Sequence, residues 1–540
     1  MNLGSHLIQR LLHLPQPATR DLIVERGLRV PMRDGTSLIA DRWAPKDTPD
    51  GLPTALLRTP YGRTGMIAAQ LVRPVAERGY QVLIQSTRGT FGSGGAFDPL
   101  RHEREDGLDT LDWLIKQPWT GESIILYGGS YLGYTQWALA GELPPQVKAM
   151  IPSVSESAFT LEQLRGDAFS LEAPFSWGVQ VTGQADGPSR LRQLLRIRKD
   201  QRALYTLPLN QADRAATGRR SDYFQNVLDH DADSPFWAVV DNSHRVADLT
   251  VPISTVGGWY DIFLPGQLRD YQTLQAAGRT ARLTVGPWSH IAMGVGAAAC
   301  TEMLDFALAH AHGKQPSKRA PVRLYVMGEQ AWRDFESWPP PGYPQRRLHL
   351  QPGGALSAER PGESDPDSFR YDPADPTPAV GGVRMAMGVK AGRVDNTKLE
   401  ARADVLTYTT TALDTDTEVI GEVSAEIWFR SSRPHADVFV RLCDVDPNGR
   451  STNVCDGLTG LTGADKTTQA TVRLWPTAYR FQRGHRIRVQ VSSGAFPRYN
   501  RNLGTGEARA TATTLHTANQ QIFHDPNHPS AIILPTRQPH

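Results

Sequence analysis

Cysteine is scarce: only Cys300, Cys443 and Cys455 occur in 540 residues. A set this sparse and odd in number is no disulfide framework. A Cys443–Cys455 pair is the alternative, but buried free thiols are expected. An excess of one charge is also missing. Lys plus Arg number 58 against 56 for Asp plus Glu. Near balance leaves no electrostatic footprint for nucleic acid or an anionic membrane, so any attraction of a substrate has to be local. No apolar run has the length to cross a bilayer. The N-terminus lacks the basic start, apolar middle and small-residue cleavage site of a secretion signal. Leu7, Ile8, Leu11 and Leu12 there fall instead at helical spacing and predict a short amphipathic helix. A cytoplasmic protein is expected, with membrane attachment through this helix as the weaker alternative.

Three familiar motifs are present only in part. His102-Glu103-Arg104-Glu105-Asp106 lacks the second histidine of a zinc-protease helix, and Gly92-Ser93-Gly94-Gly95 lacks the Lys and Thr of a phosphate loop. Asp444-Val445-Asp446-Pro447-Asn448-Gly449 begins like a calcium loop. Its twelfth position is Cys455, not a bidentate Glu, so a hairpin turn is expected. No metal or organic cofactor is called for.

What is present is the composition of a folded chain, 39% apolar and 21% charged. Cores stop growing near roughly 250–300 residues, so two or three domains are expected. Thr54–Arg58, Tyr80–Gln85 and Ser123–Tyr127 read as buried strands, with helical patterns at Met66–Ala76 and Asp106–Ile115 between them. That alternation predicts a doubly wound α/β layer over residues 1–146. From Val147 to Val246 helical periodicity dominates, at Leu161–Leu164, Leu191–Leu195 and Tyr223–Leu228, and predicts an inserted helical cap. The Arg-rich stretch Arg190–Arg202 reads as the solvated face of an amphipathic helix. Strands Val251–Val256 and Ala281–Val285 return the pattern to α/β over residues 247–318. From 319 to 540, short strands such as Arg323–Met327, Arg347–Leu350, Glu422–Arg430, Asp437–Cys443, Ala470–Leu474 and His485–Val491 are punctuated by Gly, Pro, Asn and Asp. They predict a jelly-roll β-sandwich.

The sharpest signal is Tyr127-Gly128-Gly129-Ser130-Tyr131-Leu132-Gly133, placed after a buried strand and before a helix. A serine on so tight a turn needs small neighbours, and this is the pattern of a nucleophile elbow. The chain order Ser, acid, His that this architecture requires is completed by Asp261, after Val251–Val256, and His290, after Ala281–Val285. A serine hydroxyl is a poor nucleophile until a base takes its proton. His290 is that candidate base and Asp261 the group that orients it. Taken singly, His290 reads as a loop histidine and Asp261 as a helix cap; the order of all three is what argues for catalysis. The backbone N–H of Tyr131 is one candidate oxyanion donor. The Gly-rich loop that commonly supplies the second is absent. Thr59-Pro60-Tyr61-Gly62-Arg63 stands in its place and offers the Tyr61 hydroxyl.

These pieces resemble the cocaine esterase and X-Pro dipeptidyl-peptidase (S15-like, CocE/NonD) family of serine hydrolases. The similar segments are PYGRT, STRGTFGSGG, QPWTGESIILYGGSYLG, GGWYDIF and GPWSH. VMGEQAWRDFESWPP and GHRIRVQVSSGAFPRYNRNLGTG follow in the C-terminal half. The resemblance implies an α/β-hydrolase domain with a helical cap and a jelly roll. It implies Tyr61 as a phenolic oxyanion donor, and Trp177, Phe263 and Trp259 in the substrate pocket.

The expected activity is hydrolysis of a small or medium ester, or an amide, through an acyl-enzyme. A dipeptidyl-peptidase or α-amino-acid ester hydrolase is the nearest rival. Either has to recognise a free amine, yet the positions after Asp261 are Ile262, Phe263 and Leu264, not acidic. Glu162, Asp167 or Glu172 in the cap are the remaining candidates. A catalytically silent glycan- or ligand-binding protein is the rival from another class. A homodimer is compatible with the sequence.

Overall fold

The computed structural model describes residues 3–47, 51–158, 164–165, 168–182, 190–386 and 388–538. The first structural system is a ten-stranded sheet. Its first strands are β1 (Leu22–Pro31), β2 (Ser37–Pro45), β3 (Thr54–Thr59), β4 (Gln81–Ser86), β5 (Ile124–Gly129) and β6 (Val147–Ser153). A small separate hairpin in the cap forms β7 (Leu164–Arg165) and β8 (Ala168–Phe169). The large sheet resumes with β9 (Ile253–Tyr260), β10 (Ala281–Ser289), β11 (Val322–Val326) and β12 (Ala331–Phe335). In space the order is β1-β2-β4-β3-β5-β6-β9-β10-β11-β12. Pairing is parallel from β4 to β11 and antiparallel at both ends. Every residue of β3, β4 and β9 is buried, as the apolar strands of a parallel sheet covered on both faces require. This order sets the carboxyl ends of β3, β5, β9 and β10 along one edge, where open α/β sheets place their sites.

Two expected boundaries and one expected helical segment are corrected. The cap does not begin at Val147: Val147–Ser153 is β6, a central strand between β5 and β9. Lys148, Pro152 and Ser153 mask its apolar pattern. The large sheet does not end at residue 318, because β11 and β12 extend it by one parallel and one antiparallel pairing. Leu164 lies in β7 and not in a helix, and residues 161–163 lie outside the described residues. The cap helices described are Glu172–Thr182, Arg190–Ala203, Ala212–Thr217 and Asp222–Asp229.

The second system is a thirteen-stranded jelly-roll β-sandwich running from Gln345–Gln351 to Ala531–Arg537. Its longest hairpin joins His435–Val445 to Ser451–Thr462. The Asp446 carboxylate closes the turn by accepting the N–H groups of Asn448 and Arg450, so the segment that begins like a calcium loop is a hairpin turn. All three cysteines are buried free thiols. The two systems share a core in which Trp259, Leu283 and Val322 from the sheet pack with Tyr479 and Trp475 from the sandwich. No helix among the described residues is long and apolar enough to cross a membrane.

Candidate active site

β5 ends in Gly129, and Ser130 follows at φ 57°, ψ −125°, a conformation that a non-glycine residue holds only where its surroundings dictate it. Two glycines make room for that turn. Gly128 has φ +142°, and a Cβ there would lie 2.5 Å from Cβ of Leu132. A Cβ on Gly133 would come within 2.5 Å of Ser155. The elbow is therefore sterically closed to larger residues on both sides of the serine.

The loops after β9 and β10 reach the same point. His290 Nε2 is 2.9 Å from Ser130 Oγ, and His290 Nδ1 is 2.6 Å from Asp261 Oδ2. An ionised carboxylate only accepts, so Nδ1 carries the hydrogen and Nε2 is left to accept the serine proton. Asp261 is fully buried and also receives the Phe263 N–H on Oδ1 at 2.8 Å. Ser130 opens the helix Tyr131–Trp137, so the Tyr131 N–H is one of the leading donors that have no acceptor within the helix. The Tyr131 ring is pinned. Its hydroxyl donates to Glu103 Oε1 at 2.7 Å and accepts the Leu100 N–H at 2.9 Å. Arg58, on β3, pairs with the buried Glu103 at 2.9 Å.

Tyr61 follows β3. Its hydroxyl accepts the Trp177 Nε1–H at 2.8 Å, and Tyr61 and Ser130 line the same cavity. Burial pushes the phenol up to about 12, so it stays protonated and able to donate. Trp177 stacks on Tyr131 with ring centroids 5.9 Å apart and meets Tyr223 edge-on at 4.5 Å. Phe263 lies edge-on to the His290 ring at 5.4 Å. Trp177 and Phe263 line an apolar pocket beside Ser130, with Ile262, Met385 and Trp475.

Trp259 is a correction. It is 2% exposed, donates its indole N–H to the Tyr325 carbonyl at 2.8 Å and packs on Trp338 in the shared core. It belongs to β9, whose every residue is buried in the sheet, and it does not line the pocket. Of the candidate amine-binding carboxylates, Glu162 and Asp167 lie outside the described residues. Glu172 does line the pocket, but both of its oxygens accept from the Arg384 guanidinium.

Several wall residues were not found by sequence reasoning. Arg384 and Arg498 come from the C-terminal half, as does Trp475, whose indole N–H donates to the Asp261 carbonyl at 2.9 Å. Nothing local in their sequence marks them: Arg384 and Trp475 meet partners some two hundred residues away, and Arg498 pairs with Asp456, 42 residues away.

The chain is 33% identical to a cocaine esterase of Rhodococcus sp. (strain MB1 Bresler), over 95% of this chain and 98% of that one. It belongs to the cocaine esterase and X-Pro dipeptidyl-peptidase S15 family. As a family member it is a serine hydrolase acting on esters or peptides. The S15 family, described as X-Pro dipeptidyl-peptidase, matches residues 34–292, and the C-terminal non-catalytic domain of those peptidases matches 317–533. A putative serine esterase of Mycobacterium tuberculosis is 24% identical over 86% of this chain and 90% of its own. In fold, the S15 chain superposes on an α-amino acid ester hydrolase with a TM-score of 0.82 at 24% identity, covering 97% of this chain and 98% of that one. An aminopeptidase of a marine sediment Thaumarchaeota archaeon also gives 0.82, at 22% identity, covering 96% and 97%.

Proposed function

We propose that this chain is a carboxylesterase working through an acyl-enzyme, with Ser130 as nucleophile, His290 as base and Asp261 as the group orienting the base. The observation that carries the reading is the hydrogen-bonded series Asp261–His290–Ser130, with Tyr61 lining the same cavity as the serine. Ser130 Oγ attacks the carbonyl carbon while His290 Nε2 takes its proton. The oxyanion that forms is held by the Tyr61 hydroxyl and the Tyr131 N–H. His290 returns the proton to the departing alcohol, and water then repeats the sequence to free the acid. Tyr61 is stiffened by Pro60 and fixed by Trp177, so it meets the new charge without reorganising. The acyl group occupies the apolar pocket at Trp177 and Phe263.

The chain's domains on this reading are a hydrolase core, a cap inserted after β6 and a C-terminal β-sandwich. Peptidase action at a free N-terminus is the weaker reading, because the one described acidic side chain lining the acyl pocket, Glu172, is taken up by Arg384. A fluorophosphonate label and a panel of aryl esters, aryl amides and Xaa-Pro amides test the proposal. Label on Ser130, with ester turnover that disappears in Ser130→Ala, is expected. Label on another serine overturns the nucleophile, and faster cleavage of Xaa-Pro amides than of esters overturns the substrate class.

A further inference from the structure

A second cavity opens from Ser130 on the side of His290. Ser130, Tyr61 and His290 line it together with Ile291 and Met293. Its outer wall is the N-terminal helix α1 (Leu3–Leu11), which contributes Ile8 and Leu11, with Leu12 just beyond. This helix precedes the residues matched by the S15 family, which begin at 34.

Although it lies near the chain terminus, α1 is fastened to the hydrolase core. Ser5 Oγ lies 2.8 and 2.7 Å from the two carboxylate oxygens of Glu77, which is 1% exposed. Arg20 ties the two ends of the segment together, donating to Ser5 Oγ and to Gln9 Oε1 at 2.6 Å each. The Ala18 N–H donates to the Glu77 carbonyl at 2.8 Å, and Arg78 Nε donates to the Pro15 carbonyl at 2.9 Å. These bonds fix which face of α1 looks into the cavity.

The chemistry assigns the cavity an occupant. In the first half of the reaction the bond from Ser130 Oγ to the acyl carbon forms and the ester C–O bond breaks. The proton lost by Ser130 passes through His290 to the departing oxygen. The leaving group therefore lies on the His290 side, which is this cavity. Among the described residues no Asp, Glu, Lys or Arg lines it. In the acyl pocket the charged wall groups are paired with one another or with a neighbour, Glu172 with Arg384 and Arg498 with Asp456. At the mouth, Leu11, Ile291 and Met293 remain 47%, 64% and 62% exposed. A cluster of exposed apolar side chains at a cavity mouth gains free energy when an apolar group covers it.

We infer that α1 is a specificity wall: Ile8, Leu11 and Leu12 form, with Ile291 and Met293, the binding site for the leaving alcohol, and they select esters of large, neutral, apolar alcohols. The inference rests on the carboxylesterase reading. Methyl butanoate and 2-naphthyl butanoate test it, because they give the same butanoyl-Ser130 and differ only in the leaving group. The variant Ile8→Ser/Leu11→Ser keeps Ser5 and Gln9, so α1 stays fastened. A chain starting at Ala18 removes the wall altogether. In the double variant, kcat/KM for the naphthyl ester is expected to fall about tenfold, the discrimination a few apolar contacts provide. The truncated chain should lose at least as much. Methyl ester turnover and phosphonate labelling should be unchanged in both. Equal losses on both esters would overturn the inference, since α1 would then only brace the loops that carry Tyr61 and His290. Unchanged naphthyl turnover in both variants would overturn it as well. If the wild type cleaves neither ester and Ser130 takes no phosphonate, the failure is that of the carboxylesterase reading itself.

Discussion

Two walls meet at Ser130, and they are built in different ways. One consists of strand ends: Tyr61 after β3, Ser130 after β5, Asp261 after β9 and His290 at the end of β10. The other is assembled from the cap and the sandwich: Glu172 and Trp177 from one, Arg384 and Trp475 from the other. In the first wall each side chain stands one or two residues beyond a buried strand, so the register of the sheet fixes its position. In the second, position depends on contacts across the chain. Glu172 and Arg384 are 212 residues apart, and Trp475 and Asp261 are 214 apart. The difference teaches that chemistry and selectivity are separable here. The strand ends can hold one reaction geometry while the cap and sandwich change what fits beside it.

The strand-end wall should give the largest effects. Ser130→Ala should lower kcat by about 10⁶, since nucleophile and base act as a unit, with the melting temperature unchanged. Residual turnover within about tenfold of wild type would mean that a water, and not the serine, attacks. Tyr61→Phe keeps the ring and removes only the hydroxyl. It should lower kcat by about 10²–10³, roughly 2.7–4 kcal/mol, and leave KM unchanged, because the hydroxyl meets charge that exists only in the transition state. The pH profile carries an independent check. Burial holds the Tyr61 phenol up at about 12, so the neutral, donating form persists where an ordinary tyrosine would ionise. Raising pH from 8 to about 10.5 should therefore cost nothing through Tyr61. A fall in kcat near pH 10 that vanishes in Tyr61→Phe would show a solvated phenol instead.

The two walls also differed in how far the sequence revealed them. The strand-end wall was legible because short apolar runs followed by glycine turns carry their meaning locally: Gly128, Gly129 and Gly133 announce a tight turn whatever surrounds it. The Ser, Asp, His order could be read for the same reason. Strand β6 was missed because Lys148, Pro152 and Ser153 interrupt its apolar pattern, and tertiary burial outweighed composition. Trp259 was misplaced for a related reason. It neighbours Asp261, yet its indole is turned into the core that the two domains share, toward Trp338 and the Tyr325 carbonyl. Trp475 and Arg384 could not be found at all. An indole or a guanidinium in a β-rich segment gives no sign of which distant loop it will meet.

The cap side of the second wall should give a smaller effect. Trp177→Phe retains a ring against Tyr131 and Tyr223 but loses the N–H given to the Tyr61 hydroxyl. One neutral hydrogen bond contributes about 0.5–1.5 kcal/mol, so kcat should fall roughly tenfold at most. The loss should shrink in a Tyr61→Phe background, because the two residues act through the same hydroxyl. An undiminished loss there would mean that the substitution acts only through Trp177's contact with the acyl group and not through the Tyr61 hydroxyl. Turnover across acyl chain lengths would then move, while oxyanion stabilisation would not.

The sandwich side should give the smallest effect on turnover, and Trp475→Phe measures it. Trp475 reaches the backbone carbonyl of Asp261 and not its carboxylate, so the substitution leaves the charge beside His290 untouched. It removes one donor from a buried carbonyl. Among the described residues the remaining partner is the Leu264 N–H, which comes only to 3.4 Å. The expected cost is about 1 kcal/mol of stability, with a lowered melting temperature. The kcat should fall only a fewfold, through slight loosening of the loop that aims Asp261. The Phe ring still fills the shared core and still lies under the Arg498 guanidinium, which stands 4.7 Å from the Trp475 ring, so collapse of the pocket is not expected. Combined with Tyr61→Phe, the two losses should add to within about 0.5 kcal/mol, since they act on different parts of the site. A loss in kcat as large as that of Tyr61→Phe, or strong coupling between the two, would break the division between the walls. It would mean that the sandwich sets the geometry of the chemistry itself.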